Sequence, residues 1–221
     1  MISTVIFDLD GLLADTEPLH CRAYQLALAE HGVTLDAGAY FDHWVHRGYG
    51  IADWVTAHSL DLDPHALRMR KSEYYSALLE SSLKPMDGAL DLLAGLKGNI
   101  RVALASSSYR DAIDGVLAGL KIGDYFEAIV SGQDVAKVKP APDIFLHTAK
   151  KLAVEPAQCV VLEDAEKGVI AAHLAGMRCV AVPNEFTRHH DFSKATRVCA
   201  SLHNVNLDFL LRLAPAINGK H

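Results

Sequence analysis

Thr4-Val5-Ile6-Phe7-Asp8-Leu9-Asp10-Gly11 is an apolar run that ends in two carboxylates. The run Thr4–Phe7 reads as a buried strand, and side chains alternate sides along a strand, so Asp8 and Asp10 point one way and Leu9 the other, into apolar surroundings. Gly11 lets the backbone turn sharply or approach a ligand closely. Two acids this near each other cannot both keep a charge cheaply unless a cation or a shared proton intervenes. The pair points to a metal site with one acid free to carry a proton, at a strand end suited to chemistry on a phosphate.

Working outward, short apolar runs alternate with helical patterns, which predicts an α/β fold with a Rossmann-like parallel sheet covered on both faces. Strands are expected at Thr4–Phe7, Arg101–Ala105, Ala128–Val130, Cys159–Leu162 and Cys179–Val182, with a weaker one at Arg197–Cys199. Helices fit Ala89–Leu96, Arg110–Leu120, Asp143–Leu152, Lys167–Ala175 and Leu207–Leu213. One stretch breaks the alternation. From about Asp15 to Lys84 the pattern is helical throughout, with Pro18–Glu30, Ala39–Val45, Ile51–His58 and His65–Ser81, before Pro85-Met86-Asp87-Gly88 turns the chain back. Residues 15–84 therefore read as an inserted α-helical cap domain, and residues 1–14 with 85–221 as the α/β core. The cap aromatics Tyr40, Phe41, Trp44 and Trp54 fall at helical spacing and are read as cap core rather than as a stacking surface.

The chain has 221 residues, 50% of them hydrophobic, enough for one good core and a small second domain. A net charge of -6 argues against a nucleic-acid partner, whose phosphates need a basic face, and leaves small anionic substrates open. No run approaches the roughly 20 apolar residues of a membrane span. With no leader pattern at its start, the chain reads as cytoplasmic, acting as a monomer or weak homodimer. Cys21, Cys159, Cys179 and Cys199 form no Cys-x-x-Cys pair, and most sit in apolar runs as buried thiols do. The 12 histidines show no zinc spacing.

In open α/β sheets, ligands bind outside the carboxyl ends of the strands. Ser106 follows the second expected strand, Lys139 lies in the loop after the third, and Glu163-Asp164 follow the fourth. Each has an ordinary explanation alone, as a turn serine, a loop lysine or a solvated helix start. Together with Asp8 and Asp10 they mark one sheet edge as an active site.

In this combination the chain resembles the haloacid-dehalogenase superfamily, in its phosphatase and phosphomutase branch with a helical cap inserted after the first motif. The motifs are Phe7-Asp8-Leu9-Asp10-Gly11-Leu12-Leu13-Ala14-Asp15-Thr16, Ala105-Ser106-Ser107, Val138-Lys139-Pro140-Ala141-Pro142-Asp143 and Leu162-Glu163-Asp164-Ala165-Glu166-Lys167-Gly168. The resemblance implies a Mg²⁺-dependent phosphatase acting on a small phosphorylated metabolite through an aspartyl-phosphate on Asp8. It implies metal ligation by Asp8 and Asp164, by the Asp10 backbone carbonyl, and with help from Glu163. Lys139 would neutralise Asp8 and the phosphoryl group, and Ser106 would donate to a phosphoryl oxygen. Asp10 would protonate the leaving alkoxide and then activate water, arriving protonated because of its anionic neighbours.

The acceptor is open at this point, with hydrolysis of a sugar phosphate or phosphoglycolate ahead of transfer between sugar hydroxyls as in β-phosphoglucomutase. A protein that keeps the fold without turnover is the third reading. His20 and Lys71 match mutase residues that orient the general acid. The mutase's clamp for a second phosphate is altered: Ile51 stands where its cap-loop arginine is expected, and the core segment reads Ser106-Ser107-Ser108-Tyr109-Arg110. Arg47 and Arg110 are candidate replacements, since a guanidinium offers bidentate phosphate recognition. Ser107 joins them as a substrate-binding candidate.

Overall fold

The structure, a computed structural model, describes residues 1–213. Six strands, β1 (Thr4–Phe7), β2 (Arg101–Ala105), β3 (Ala128–Val130), β4 (Cys159–Glu163), β5 (Arg178–Ala181) and β6 (Arg197–Val198), form one sheet in the order β3-β2-β1-β4-β5-β6. Every pairing is parallel. β1 is central and all four of its residues are buried, as an unbroken apolar run on a two-sided sheet should be. Phe7 pairs with Leu104 on one side and Leu162 on the other, so the residues just beyond them converge at one sheet edge. The chain builds β1, β2 and β3 outward in one direction and then returns to place β4 on the far side of β1, which makes the carboxyl end of β1 the switch point where a crevice opens.

The strand alternation is visible in the packing. Val5 and Phe7 belong to a cluster with Leu92, Leu93 and Val116, on the side of α5 (Ala89–Leu96) and α6 (Arg110–Leu120). Ile6 belongs to the opposite cluster with Phe145 of α7 (Asp143–Lys151) and Val169 of α8 (Glu166–Leu174). β5 begins at Arg178, one residue before the expected start, and the last helix described, Leu207–Leu211, is shorter than the expected Leu207–Leu213. Among the described residues no helix is long and apolar enough to cross a membrane.

The segment between β1 and β2 holds α1 (Glu17–Ala29), α2 (Ala37–Tyr40), α3 (Ile51–Ala57) and α4 (Pro64–Ser82). Pro18 and Pro64 sit in the first turns of α1 and α4, where a missing N–H costs nothing. The helix expected over Ala39–Val45 is in fact the end of α2 running into a π-helical turn, Phe41–His46, in which the Arg47 N–H donates to the Asp42 carbonyl at 3.0 Å. Cys21, Leu28, Tyr40, Trp54 and Leu67 form an apolar cluster of this segment's own. The C-terminal half of α4 packs otherwise. Tyr75 and Leu79 join the cluster under the sheet, and α6 makes room for Leu79 and Leu83 at Gly115 and Gly119, where a Cβ would come within 2.8 Å of Leu79 and 2.6 Å of Leu83.

Candidate active site

Asp8 follows β1 with its backbone N–H donating to the Leu162 carbonyl, so it continues the strand one residue into the crevice. Lys139, reaching in from the loop after β3, donates from Nζ to Asp8 Oδ1 (2.5 Å), Glu163 Oε1 (2.6 Å) and the Ala105 carbonyl (2.9 Å). An ammonium has three hydrogens and here three acceptors, so Lys139 is saturated within the protein. Burial works against its charge, but the carboxylates of Asp8 and Glu163 outweigh it and hold the ammonium protonated. Glu163 is fully engaged too: its Oε2 accepts from the N–H groups of Asp164 and Ala165. Room for this carboxylate comes from Gly168 in α8, where a Cβ would stand 1.8 Å from Glu163 Oε1.

Asp8, Glu163 and Asp164 bring carboxylate oxygens within 4.8 Å of one another, all buried. Burial, followed by the charges of Glu163 and Asp8, pushes the Asp164 carboxyl far above its ordinary value. Burial also raises Asp8, against the pull of Lys139. One lysine does not neutralise three carboxylates, and all-oxygen donors of this kind suit a hard divalent cation such as Mg²⁺. The cradle continues on the far side of Asp164. Asn184 Nδ2 donates to Asp164 Oδ2 (2.8 Å) and to the Gly11 carbonyl (3.1 Å), while Gly11, at φ +80°, leaves open the space where a Cβ would stand 2.5 Å from Asp164 Oδ2. The residues fit a metal ion held between Asp8 and Asp164, with Glu163 acting through Lys139.

Asp10 is outside that acidic cluster. Its Oδ1 accepts from Thr16 Oγ1 (2.6 Å) and faces His20 Nε2 at 3.3 Å, and its Oδ2 accepts from Ser108 Oγ (2.6 Å) and Ser106 Oγ (3.2 Å). Behind His20, Lys71 Nζ lies 2.6 Å from Nδ1. An ammonium can only donate, so Nδ1 accepts and the ring proton sits on Nε2, directed at Asp10. Tyr75 stacks on the imidazole at 4.1 Å and fixes its plane. The expectation that Asp10 is protonated by its anionic neighbours concerns the phosphate-bound site; without phosphate the balance is different. Burial would raise its pKa, but hydrogen bonds from His20, Ser108 and Thr16 outweigh burial and hold the carboxyl well below the usual range. Ser106, expected to face a phosphoryl group, donates to Asp10 and accepts from the Ser108 N–H.

These groups open onto a cavity of about 480 Å³ between the sheet edge and the inserted helices. Asp8, Asp10, His20, Lys71, Ser106, Ser107, Lys139, Glu163 and Asp164 all line it. The Ser107 hydroxyl is buried with no hydrogen-bond partner among the described residues. Arg47 and Arg110 do not line the cavity. Each is about half exposed or more and ion-paired with a neighbour, Arg47 with Asp42 and Arg110 with Asp114, both at 2.8 Å. For Arg110 the reason is helical geometry, since an i,i+4 partner holds the guanidinium along α6. Tyr40 and Trp44 pack in the apolar cluster of the segment between β1 and β2, as expected, and both also line the cavity.

Thr16, Ser108 and Asn184 were not singled out from sequence. Thr16 and His20 are four residues apart at the start of a helix, a spacing that puts both on one face. Asn184 comes three residues after β5 ends, where the strand-end argument applied to Ser106 and Glu163 also applies.

A profile of haloacid dehalogenase-like hydrolases matches residues 2–176. The chain belongs to that family. It is 37% identical over 179 residues to fructose-1-phosphate phosphatase YqaB of Escherichia coli (strain K12), covering 80% of this chain and 95% of YqaB. It is also 37% identical to β-phosphoglucomutase of Bacillus subtilis (strain 168) over 196 residues, 82% of this chain and 83% of the mutase. Among solved structures, CbbY from Rhodobacter sphaeroides in complex with phosphate superposes with a TM-score of 0.87 at 30% identity, over 95% of this chain and 99% of CbbY. The sheet order and the strand-end placement of Asp8, Ser106 and Glu163 are thus a haloacid-dehalogenase core with inserted helices.

Proposed function

We propose that this protein is a Mg²⁺-dependent phosphatase that hydrolyses a small phosphate monoester, of the sugar-phosphate kind, through an aspartyl-phosphate on Asp8. The observation that carries the reading is the separation of two acids two residues apart. Asp8 stands in the buried acidic cluster against Lys139, and Asp10 stands in a separate relay with His20 and Lys71. Phosphatase relatives such as YqaB support the reaction type.

In the first half-reaction an Asp8 carboxylate oxygen attacks phosphorus, the ester P–O bond breaks, and the leaving alkoxide takes a proton from Asp10. In the second, Asp10 removes a proton from water, the water oxygen attacks phosphorus, and the bond to Asp8 breaks to release phosphate. Asp10 is ionised in the ligand-free fold, so it acquires its proton as the phosphate dianion enters and raises the local negative charge. His20 and Lys71 hold it in position through both transfers. Mg²⁺, held by Asp8 and Asp164 with the Asp10 backbone carbonyl, would offset the repulsion between a carboxylate and a phosphate dianion. Residues 15–84 serve as a cap that excludes water until transfer is complete.

Transfer to a second sugar hydroxyl requires a second phosphate to be held during turnover. The arginines available for that task are engaged by Asp42 and Asp114 away from the cavity, which favours hydrolysis. The test is phosphate release from a panel of phosphate monoesters with Mg²⁺ or EDTA, using Asp8→Asn as the blank. Metal-dependent release that the variant lacks is expected, and equal release by the variant would overturn the assignment.

A further inference from the structure

Phe186, in the loop that follows β5, stacks its ring on Phe41 of the segment between β1 and β2, with centroids 4.4 Å apart and planes within 11° of parallel. Two further contacts join the same two sides of the cavity. His46 meets His190 at 5.6 Å between ring centroids, and the Lys167 stem passes Gly48 at van der Waals range, 3.9 Å from where a Cβ would stand. Phe41 and His46 bound the π-helical turn and Gly48 lies just past it, so one short stretch makes all three contacts. Their partners form one platform. The Glu166 N–H, at the start of α8, donates to His190 Nδ1 (3.3 Å), and Glu166 Oε2 accepts from the Asp191 N–H (3.2 Å), which ties the loop to the helix that carries Lys167.

That platform is anchored on a proposed metal ligand. Asn184 Nδ2 donates to Asp164 Oδ2 (2.8 Å), while Asn184 Oδ1 accepts from the N–H groups of Phe186 (2.8 Å) and Thr187 (3.2 Å). The buried Thr187 hydroxyl accepts in turn from the Asn184 N–H. One amide therefore joins the Asp164 carboxylate to the backbone that carries the Phe186 ring. The opposite edge of the cavity is held without reference to Asp164: Tyr75 and Leu79 of α4 pack into the cluster under the sheet, and Ser72 Oγ donates to Asp111 Oδ2 at 2.7 Å. The α4 edge is packed and the Phe41 edge rests on surface contacts, so opening costs least at the Phe41 edge.

We infer that the Phe41–Phe186 stack couples metal occupancy to closure of the cap: a divalent cation on Asp164 fixes the carboxylate that Asn184 grips, Asn184 holds Phe186 where Phe41 lands, and the landing in turn strengthens the hold on the cation. Neither ring lines the cavity, so both are positioning residues. Coupling of this kind is reciprocal by thermodynamic necessity, so removing a ring that touches neither metal nor substrate weakens metal binding. The inference rests on the proposed metal site and cap, and supplies the link between them.

The experiment titrates Mg²⁺ alone into substrate-free protein by calorimetry, in wild type, Phe41→Ala, Phe186→Ala and the double variant. Each single variant should raise the dissociation constant about fivefold or more. The double variant should raise it no further, because either change breaks the same stack. Phe41→Ala is the decisive variant, since it leaves every hydrogen bond of the Asn184 loop in place. Hydrogen exchange of residues 41–50 gives the reciprocal reading, with protection by Mg²⁺ expected in wild type and absent in Phe186→Ala. Unchanged Mg²⁺ affinity in Phe41→Ala, losses that add in the double variant, or exchange indifferent to Mg²⁺ in wild type overturns the inference. Wild type that binds no Mg²⁺, or binds it equally well with Asp164→Asn, overturns instead the metal site on which the inference rests.

Discussion

Lys71 donates to His20 Nδ1 across 2.6 Å, from a helix 51 residues further along the chain, and so assigns the proton on the other ring nitrogen that faces Asp10. Asp10, the proposed acid–base residue, is thereby oriented by two residues from the segment between β1 and β2.

The first prediction concerns that relay. Lys71→Met removes the donor that selects the His20 tautomer, and kcat should fall about 100-fold, the lower end of what a positioned acid–base group contributes. Burial pulls the Lys71 pKa down to about 8, against the charges of Asp10 and Glu17. Above that pH a neutral amine accepts as well as donates, so wild-type kcat/KM should decline on the alkaline side, and Lys71→Arg should shift the decline upward. An unfolded lysine titrates near 10.5, so the folded chain holds fewer protons between the two values and Lys71's contribution to stability rises with pH across that window. An alkaline limb unmoved in Lys71→Arg would contradict the assignment.

Asn184 is the second test. It supports Asp164 and the Gly11 carbonyl with one amide nitrogen and, through Oδ1, accepts from the N–H groups of Phe186 and Thr187. Asn184→Leu should raise the half-saturating Mg²⁺ concentration about tenfold or more, as loss of a ligand-orienting partner does. Activity titrated with Mg²⁺ reads this directly. An unchanged metal requirement would remove Asn184 from the site.

Gly168 offers a test by sign. Alanine in a helix normally stabilises it by roughly 1 kcal/mol relative to glycine. Here the new methyl would stand 1.8 Å from Glu163 Oε1 and force that carboxylate off Lys139. Breaking a buried pair costs roughly 3–5 kcal/mol, so Gly168→Ala should lower Tm and activity together. A higher Tm would show that Glu163 has room to move.

Metal removal should expose a pH dependence. Burial and the charges of Glu163 and Asp8 raise the Asp164 pKa above its ordinary value of 3.8. The metal-free folded state therefore keeps a proton that the unfolded chain has released, and its stability falls as pH rises toward the raised value. Thermal melts between about pH 5 and 8 should slope downward in EDTA and flatten with Mg²⁺. A slope independent of Mg²⁺ would mean that the acidic cluster is not the metal site.

Much of this was legible in the sequence, for reasons that particular residues show. β1 was readable because a strand buried on both faces is apolar at every position, and Asp8 because a carboxylate directly after such a run has nowhere to go but the sheet edge. Arg110 was not, because one residue along a helix turns a side chain by about 100°, and composition does not say which way it faces; Arg47, just past a π-helical turn, is held by Asp42 within its own loop. Asn184 was hidden by distance: its partner Gly11 is 173 residues away, and only the order of the strands brings the two together.

The central claim, that Asp8 carries the phosphoryl group, is tested most directly by quenching the enzyme during turnover of a phosphate ester with borohydride, which reduces an acyl phosphate to an alcohol, and mapping peptides by mass spectrometry. Homoserine at position 8, present only with Mg²⁺ and substrate, is the predicted result. Steady turnover with position 8 unmodified, or with the reduced residue elsewhere, would contradict it.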